Sequence, residues 1–206
     1  MNTNSKVDNT QSTKRIASNT IVLFARMVVL MFVNLYTVRL IIKALGLVDY
    51  GLFNTIAGVI TTSAFISGVL TLSIQRFYSV ALGKQDKGEL KKVYSASINI
   101  ELILCIIIIT IFETVGLWFV NTQLNIPSER LYAAQWVYQF TLLQFVVNLL
   151  RVPYNASIIA YEKMNFYAYI SLIEVIAKLV VVYLLYITTY DKLIFYSFLY
   201  TIVPFV

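Results

Sequence analysis

Long apolar runs separated by short polar segments dominate this sequence. Most of the runs reach or exceed the roughly 20 residues that an α-helix needs to cross a bilayer. The runs carry few charges, whereas the intervening segments hold most of the Lys, Asp and Gly residues. The pattern predicts an all-α integral membrane protein, with a bundle of about six transmembrane helices in residues 14–206, at residues 16–44, 52–74, 93–120, 131–150, 166–187 and 193–206.

The two ends of the chain depart from this pattern. Residues 1–13 are polar and rich in Asn, Ser and Thr, which predicts a disordered cytoplasmic tail. The sixth run, residues 193–206, is shorter than a full membrane span. It predicts that the sequence is a fragment or the product of a truncated reading frame; a marginal span is the alternative.

The amino-acid composition supports the prediction of a membrane protein. Hydrophobic residues make up 59% of the chain and charged residues 13%, against roughly 45–50% and 25% in soluble domains. The net charge of +6 does not predict a nucleic-acid partner, because no basic helix face or base-stacking array accompanies it. With the N-terminus inside, ten basic residues lie in cytoplasmic segments and four in outer segments, which predicts a cytoplasmic N-terminus.

Candidate chemistry is sparse. The chain has no histidine and one cysteine, Cys105, which lies within an apolar run and is interpreted as a small buried hydrophobe. No phosphate-binding loop, dinucleotide fingerprint or hydrolase motif is present. The sequence therefore predicts that the protein is not an enzyme and uses no metal or other cofactor.

Ionisable residues inside the apolar runs are the informative positions, because such groups are costly in hydrocarbon and usually face a bundle interior or a hydrated cavity. Arg26 lies about ten residues into the first run. It is either an anion-binding cation in a transport cavity or a side chain that snorkels to the interface. Glu113 in the third run is either an ion-coupling carboxylate or an interfacial acid. Glu101, nearer the cytoplasmic end, is less informative.

Two later runs each carry a polar helix face. In the fifth run Glu174 and Lys178 are four residues apart, so they either neutralise each other or contact a substrate. In the fourth run polar residues recur at steps of three, four and three. This stripe either lines an aqueous path or forms hydrogen bonds between helices. Its members are Thr141, Gln144, Asn148 and Arg151.

Three segments resemble motifs of the polysaccharide flippases, which belong to the multidrug/oligosaccharidyl-lipid/polysaccharide exporter superfamily. Residues 45–53, LGLVDYGLF, are similar to the family pattern after the first helix. The QRFY sequence at residues 75–78, followed by GKQD at 83–86, resembles the loop after the second helix. Pro153 and the AYEK sequence at residues 160–163 resemble the turn before the fifth helix. The spacing of the apolar runs agrees along nearly the whole chain.

The resemblance implies the first of two related six-helix bundles in a bacterial inner-membrane exporter. Such proteins move an undecaprenyl-pyrophosphate-linked oligosaccharide to the outer leaflet through a cationic cavity, by alternating access. The implied partners are the lipid-linked oligosaccharide, the bilayer, a missing C-terminal bundle and polysaccharide assembly proteins. On this basis Arg26 is the expected pyrophosphate contact, joined in the cavity by Arg39, Lys178 or Arg151.

The motif positions have a different expected role. Asp49, Gly51, Arg76 and Gly83 match motif positions of the resembled family, and we expect them to serve the fold and gating and not catalysis. Three alternative functions remain open. The first is a small-molecule cation exporter of the same superfamily, which would favour a cavity dominated by carboxylates such as Glu113 and Glu174. The others are a membrane-embedded glycan enzyme and a nonfunctional truncated product.

Overall fold

Most of the described part of the protein is helical. The computed structural model describes the backbone of residues 4–205 and the side chains of residues 20–205. A π-helix, Phe112–Gly116, joins the fourth and fifth helices, and short 3-10 turns occupy Ser128–Arg130 and Val203–Phe205. The α-helices are α1 Asn4–Leu45, α2 Leu47–Thr61, α3 Ala64–Gly83, α4 Lys87–Ile111, α5 Leu117–Thr122, α6 Leu131–Leu150, α7 Val152–Ala160, α8 Met164–Ile187 and α9 Lys192–Ile202.

Among the described residues, five helical segments are long and apolar enough to cross a membrane. They are Thr20–Leu45, Ala64–Gly83, Lys87–Thr122, Ser128–Ala160 and Met164–Ile187. Two shorter apolar helical segments, Leu47–Thr61 and Lys192–Phe205, accompany them. The prediction of an all-α, multi-pass membrane bundle is confirmed.

The second predicted helix has different bounds. It is a broken helix formed by α2 and α3, and residues 62–63 make the break. The predicted polar loop at residues 75–92 is mostly helical, because α3 continues to Gly83 and α4 already starts at Lys87. Polar residues alone do not end a helix, and no proline interrupts this stretch.

Two further helix boundaries differ from the predicted ones. Residues 152–160, placed in a polar turn, form α7, and Pro153 is accommodated in its first turn, where its missing N–H costs nothing. The helix α1 begins at Asn4, within the segment predicted to be disordered, while residues 1–3 lie outside the described residues. Residue 206, at the end of the sixth predicted helix, is also outside them.

The start of α2 also differs from the prediction. The helix predicted to start at residue 52 starts at Leu47, and Gly46 occupies its N-cap position. Gly46 has φ +82°, a backbone conformation that glycine adopts without steric cost. Asp49 lies in the first turn of α2, where its negative charge suits the helix dipole.

The helix α6 forms the centre of the bundle and contacts α2, α4 and α9. Its residues Ala134, Val137, Tyr138 and Leu149 are fully buried. The helix α1 packs along α8, and α3 packs against α4 and α7. Large apolar side chains of α1 remain exposed, which suits a surface in contact with lipid. The polar side chains of α2, α6 and α8 can therefore meet on one side of the central helix.

The π-helix at Phe112–Gly116 has an identifiable packing partner. Tyr138 of α6 donates a hydrogen bond of 2.6 Å from its hydroxyl to the Phe112 carbonyl oxygen. A Cβ at Gly116 would lie 2.2 Å from the Tyr138 hydroxyl oxygen, so only glycine fits there. The wider turn thus exposes a carbonyl group that a buried tyrosine satisfies.

Candidate functional site

A cavity of about 410 Å³ lies between α2, α6, α8 and the segment that begins with α9. Asn54 and Thr61 of α2 line it, and Tyr200 of α9 contributes an aromatic ring. Polar residues from α6 and α8 complete the lining, namely Thr141, Gln144, Asn148, Glu174 and Lys178. Residues predicted separately on two helices are therefore brought together in one cavity.

The polar stripe of α6 faces this cavity as one strip. Thr141, Gln144 and Asn148 all line it, as their spacing of three and four residues on a helix requires. The Gln144 side-chain amide donates a hydrogen bond of 3.3 Å to the Tyr200 carbonyl oxygen. Both interpretations of the stripe thus have a basis here, since it lines the cavity and also bonds to a neighbouring helix.

The acid–base pairing differs from the one that sequence spacing suggested. The Arg151 guanidinium, at the junction of α6 and α7, donates to the Glu174 carboxylate. Lys178 instead lies near Tyr200, with Nζ 5.5 Å from the ring centroid. Because Arg151 neutralises Glu174, the positive charge of Lys178 is left uncompensated within this group of three residues.

Aromatic side chains form one wall of the cavity. The ring centroids of Phe53 and Tyr196 are 4.9 Å apart, and those of Tyr196 and Tyr200 are 5.4 Å apart. Phe53 and Tyr200 line the cavity directly. Packed rings of this kind are rigid and present flat apolar faces beside the polar groups.

Asn54 is a cavity residue that the sequence interpretation missed. It lies on one helix face with Gly58 and Thr61, at steps of four and three residues, and all three line the cavity. Those spacings were present in the sequence as a possible signal. The break between α2 and α3 follows directly after Thr61, so this polar face ends where the helix is interrupted.

Arg151 does not line the cavity itself and reaches it only through Glu174, and three other predicted cavity residues lie elsewhere. Arg26 packs against α8, with its guanidinium carbon 4.5 Å from the ring centroid of Tyr167. Arg39 is exposed on α1. Glu113 lies in the π-helix and accepts a bond of 3.3 Å from the Gln139 side-chain amide. None of the three lines the cavity.

Asp49 belongs to an ion-pair cluster that joins the starts of three helical segments. Arg130, before α6, donates from one nitrogen to Asp49 of α2 at 2.9 Å and from the other to Asp191 at 2.6 Å. Asp191 also caps α9 by accepting from the Leu193 and Ile194 amides. Arg130 was not predicted as a site residue. A signal was present in the sequence, because Arg130 is basic and the starts of α2 and α9 each carry an aspartate.

The remaining motif residues lie at helix surfaces or ends. Gly51 is exposed in α2, and its carbonyl oxygen accepts a bond from the Thr55 hydroxyl. Arg76 is exposed on α3, and Gly83 is the last residue of that helix. They do not line the cavity, so their predicted role in fold and gating stays a prediction.

Glu101 of α4 is a buried carboxyl group. It is 1% exposed, and both of its oxygens are buried without a hydrogen-bond partner. Cys105 lies one turn further along the same helix and is also buried. Sequence interpretation ranked Glu101 low because its position along the run placed it near an end, whereas packing places it in the interior.

The cavity offers amide, hydroxyl, cationic and aromatic groups inside an otherwise apolar bundle. Sites with a few directed polar groups among aromatic side chains suit small organic ligands. No family model matches this chain, and no curated protein or solved structure matches it. The functional conclusion therefore depends on these residues and on the motifs in the sequence.

Proposed function

We propose that this chain takes part in moving a lipid-linked oligosaccharide across the bacterial inner membrane for surface polysaccharide synthesis. The protein would act as one six-helix bundle of a flippase and work with a second bundle, without enzymatic chemistry. The sequence motifs after the first, second and fourth predicted helices support the family assignment. The cavity of the bundle supports the chemistry.

The main support for the proposal is that polar and aromatic side chains line one cavity within the membrane bundle. Asn54, Gln144 and Asn148 provide amides that can exchange hydrogen bonds with sugar hydroxyl groups. The rings of Phe53 and Tyr200 offer flat faces against which a sugar ring can pack. An oligosaccharide needs both kinds of contact, because its rings have polar edges and apolar faces.

The charges around the cavity favour an anionic substrate. Glu174 is neutralised by Arg151, so Lys178 supplies the net positive charge of these three residues. A phosphate-bearing lipid carrier matches that charge. The proposal therefore assigns the substrate's negative charge to Lys178, which lines the cavity, and not to Arg26, which lies outside it.

The cation-exporter alternative has less support from the geometry. It would favour a cavity dominated by free carboxylates. Glu174 is engaged by Arg151, and Glu113 lies outside the cavity beside Gln139. A cationic substrate would also meet Lys178 as a like charge.

The test compares Lys178→Gln with Lys43→Gln in the native host. Lys43 is exposed in the last turn of α1 and does not line the cavity, so it is a matched control for loss of one lysine charge. We expect Lys178→Gln to reduce transport about tenfold, the equivalent of about 1.4 kcal/mol of lost charge-assisted binding. The measurement is the amount of lipid-linked oligosaccharide accessible at the cytoplasmic leaflet of membrane vesicles, at matched protein levels.

Two results would overturn the proposal. If deletion of the gene leaves the leaflet distribution of the oligosaccharide unchanged, the flippase function fails. If deletion causes accumulation but Lys178→Gln and Asn148→Leu both transport normally, the assigned cavity fails. Normal transport by Lys43→Gln together with a defect in both cavity variants supports the proposal.

A further inference from the structure

A second recess lies on the outside of the bundle, where α1 and α8 pack side by side. This groove has a volume of about 360 Å³. Arg26 and Asn165 line it together with apolar side chains that include Val22, Val29 and Leu172. The groove shares no lining residue with the central cavity, so it needs an explanation of its own.

The charge of Arg26 has no ionic partner among the described residues. Its guanidinium lies over the Tyr167 ring, which fixes the plane of the group. Its Nε is buried and has no hydrogen-bond partner. An arginine in a membrane helix is costly without a counterion, so an anion at this position would stabilise it.

The groove lies beside the N-terminal part of α8, a helix long and apolar enough to cross a membrane. The helix α8 begins at Met164, so the groove residue Asn165 is its second residue and Tyr167 its fourth. Arg26 packs over Tyr167 and is therefore held beside this helix start. This is the region where basic side chains reach the interface of a bilayer.

The surroundings of the groove are apolar and strongly exposed. Phe24 and Met27, on either side of Arg26 in sequence, are 68% and 64% exposed, and Tyr169 at the groove is 67% exposed. Apolar side chains this exposed on a membrane helix face acyl chains. The groove therefore offers an apolar wall together with the positive charge of Arg26.

We propose that the α1–α8 groove binds an anionic phospholipid, with the headgroup phosphate on Arg26 and an acyl chain along the apolar wall. The guanidinium fork can bind two phosphate oxygens, and Asn165 adds an amide that can donate to the headgroup. Because the groove and the central cavity are separate, this site does not depend on the proposed transport function.

The experiment measures binding of phosphatidylglycerol to the purified full chain in detergent by native mass spectrometry. Arg26→Gln removes the charge and is compared with Arg39→Gln, which removes an exposed arginine from the same helix outside the groove. We expect Arg26→Gln to weaken phosphatidylglycerol binding about fivefold, which corresponds to about 1 kcal/mol for one basic group at the interface. Arg39→Gln should bind as wild type does.

A second variant tests the groove without removing the charge, which keeps the proposal testable if Arg26→Gln does not fold. Ala25 is exposed and lines the groove, so Ala25→Phe fills it while leaving the charge in place. We expect this variant to lose phosphatidylglycerol binding as well, with unchanged helix content by circular dichroism. Wild-type binding by folded Ala25→Phe or by folded Arg26→Gln would overturn the proposal.

Competing anions identify the source of the phosphate. Inorganic phosphate and polyprenyl pyrophosphate are added to the phosphatidylglycerol complex. Failure of both to displace the phospholipid at equal concentration supports the proposal. Displacement by inorganic phosphate shows a simple anion site, and displacement by polyprenyl pyrophosphate shows a site for the lipid carrier; either result overturns the assignment to phospholipid.

Discussion

Glu174 and Glu101 are two carboxyl groups inside the same bundle, in opposite surroundings. Glu174 lies at the cavity with Arg151 as its partner, and its side chain is 24% exposed. Glu101 is 1% exposed among packed helices, and its oxygens have no partner. The cavity region thus compensates its charges, whereas the α4 region holds a polar group that its neighbours do not satisfy. Removing each group should therefore have opposite effects on stability.

The largest effect is expected from Glu174→Gln. The substitution leaves the Arg151 guanidinium without its carboxylate, and we expect a loss of about 2 kcal/mol in the free energy of unfolding. The measurement is urea unfolding in mild detergent. The double variant with Arg151→Gln is the control, since it removes both charges and should recover part of the loss. Additive effects of the two single changes would show that the pair contributes nothing.

The opposite sign is expected from Glu101→Leu. Replacing an unpartnered buried carboxyl group with an apolar side chain of similar size should stabilise the bundle by about 1 kcal/mol. Glu101→Gln is the matched control, because it keeps the polar atoms and the shape and should fall closer to wild type. A lower melting temperature for Glu101→Leu would mean that the carboxyl group has a partner, which would remove the contrast with Glu174.

A smaller loss is expected from Asp49→Asn in the ion-pair cluster. Arg130 keeps Asp191 as a partner at 2.6 Å, so the change should destabilise the protein by only about 0.5 kcal/mol. Thermal unfolding at low and high salt is the measurement, and the difference from wild type should shrink as salt rises. A loss of stability as large as that of Glu174→Gln would show that the remaining pair of Arg130 with Asp191 does not limit the destabilisation.

The smallest effect on stability is expected for Asp86, a solvent-exposed carboxylate at the start of α4. Hydrogen bonds from the Glu89 and Gly88 amides lower the pKa of Asp86 below its usual value of 3.8. Its contribution to stability is therefore fully present above that value and is lost as the pH falls through the lowered pKa. Asp86→Asn keeps a good N-cap and should be equally stable at pH 7.

Acid titration of thermal unfolding tests this expectation. The Asp86→Asn variant should lose less stability than the wild type as the pH falls below the usual aspartate range. Identical acid profiles for the two proteins would show that the cap contributes no pH dependence. The comparison of Glu174 with Glu101 does not depend on that result.

Part of the candidate site was predictable because helix periodicity fixes which residues share a face. Gln144 and Asn148 were placed correctly on one strip of α6 by their spacing. The partner of Glu174 was not predictable. The four-residue spacing favoured Lys178 on the same helix, whereas the observed partner, Arg151, lies at the end of a different helix. Contacts between helices depend on packing, which local spacing does not contain.

The sequence by itself determined that the chain forms membrane helices and where most of them lie. A bilayer offers no water to backbone groups, so a long apolar run has few structures available besides a helix. Only the tertiary structure decided that α2 and α6 meet α8 around a cavity, that Arg26 lies outside it, and that Glu101 is enclosed. These outcomes depend on the rotation and crossing of helices, which small differences in side-chain packing set.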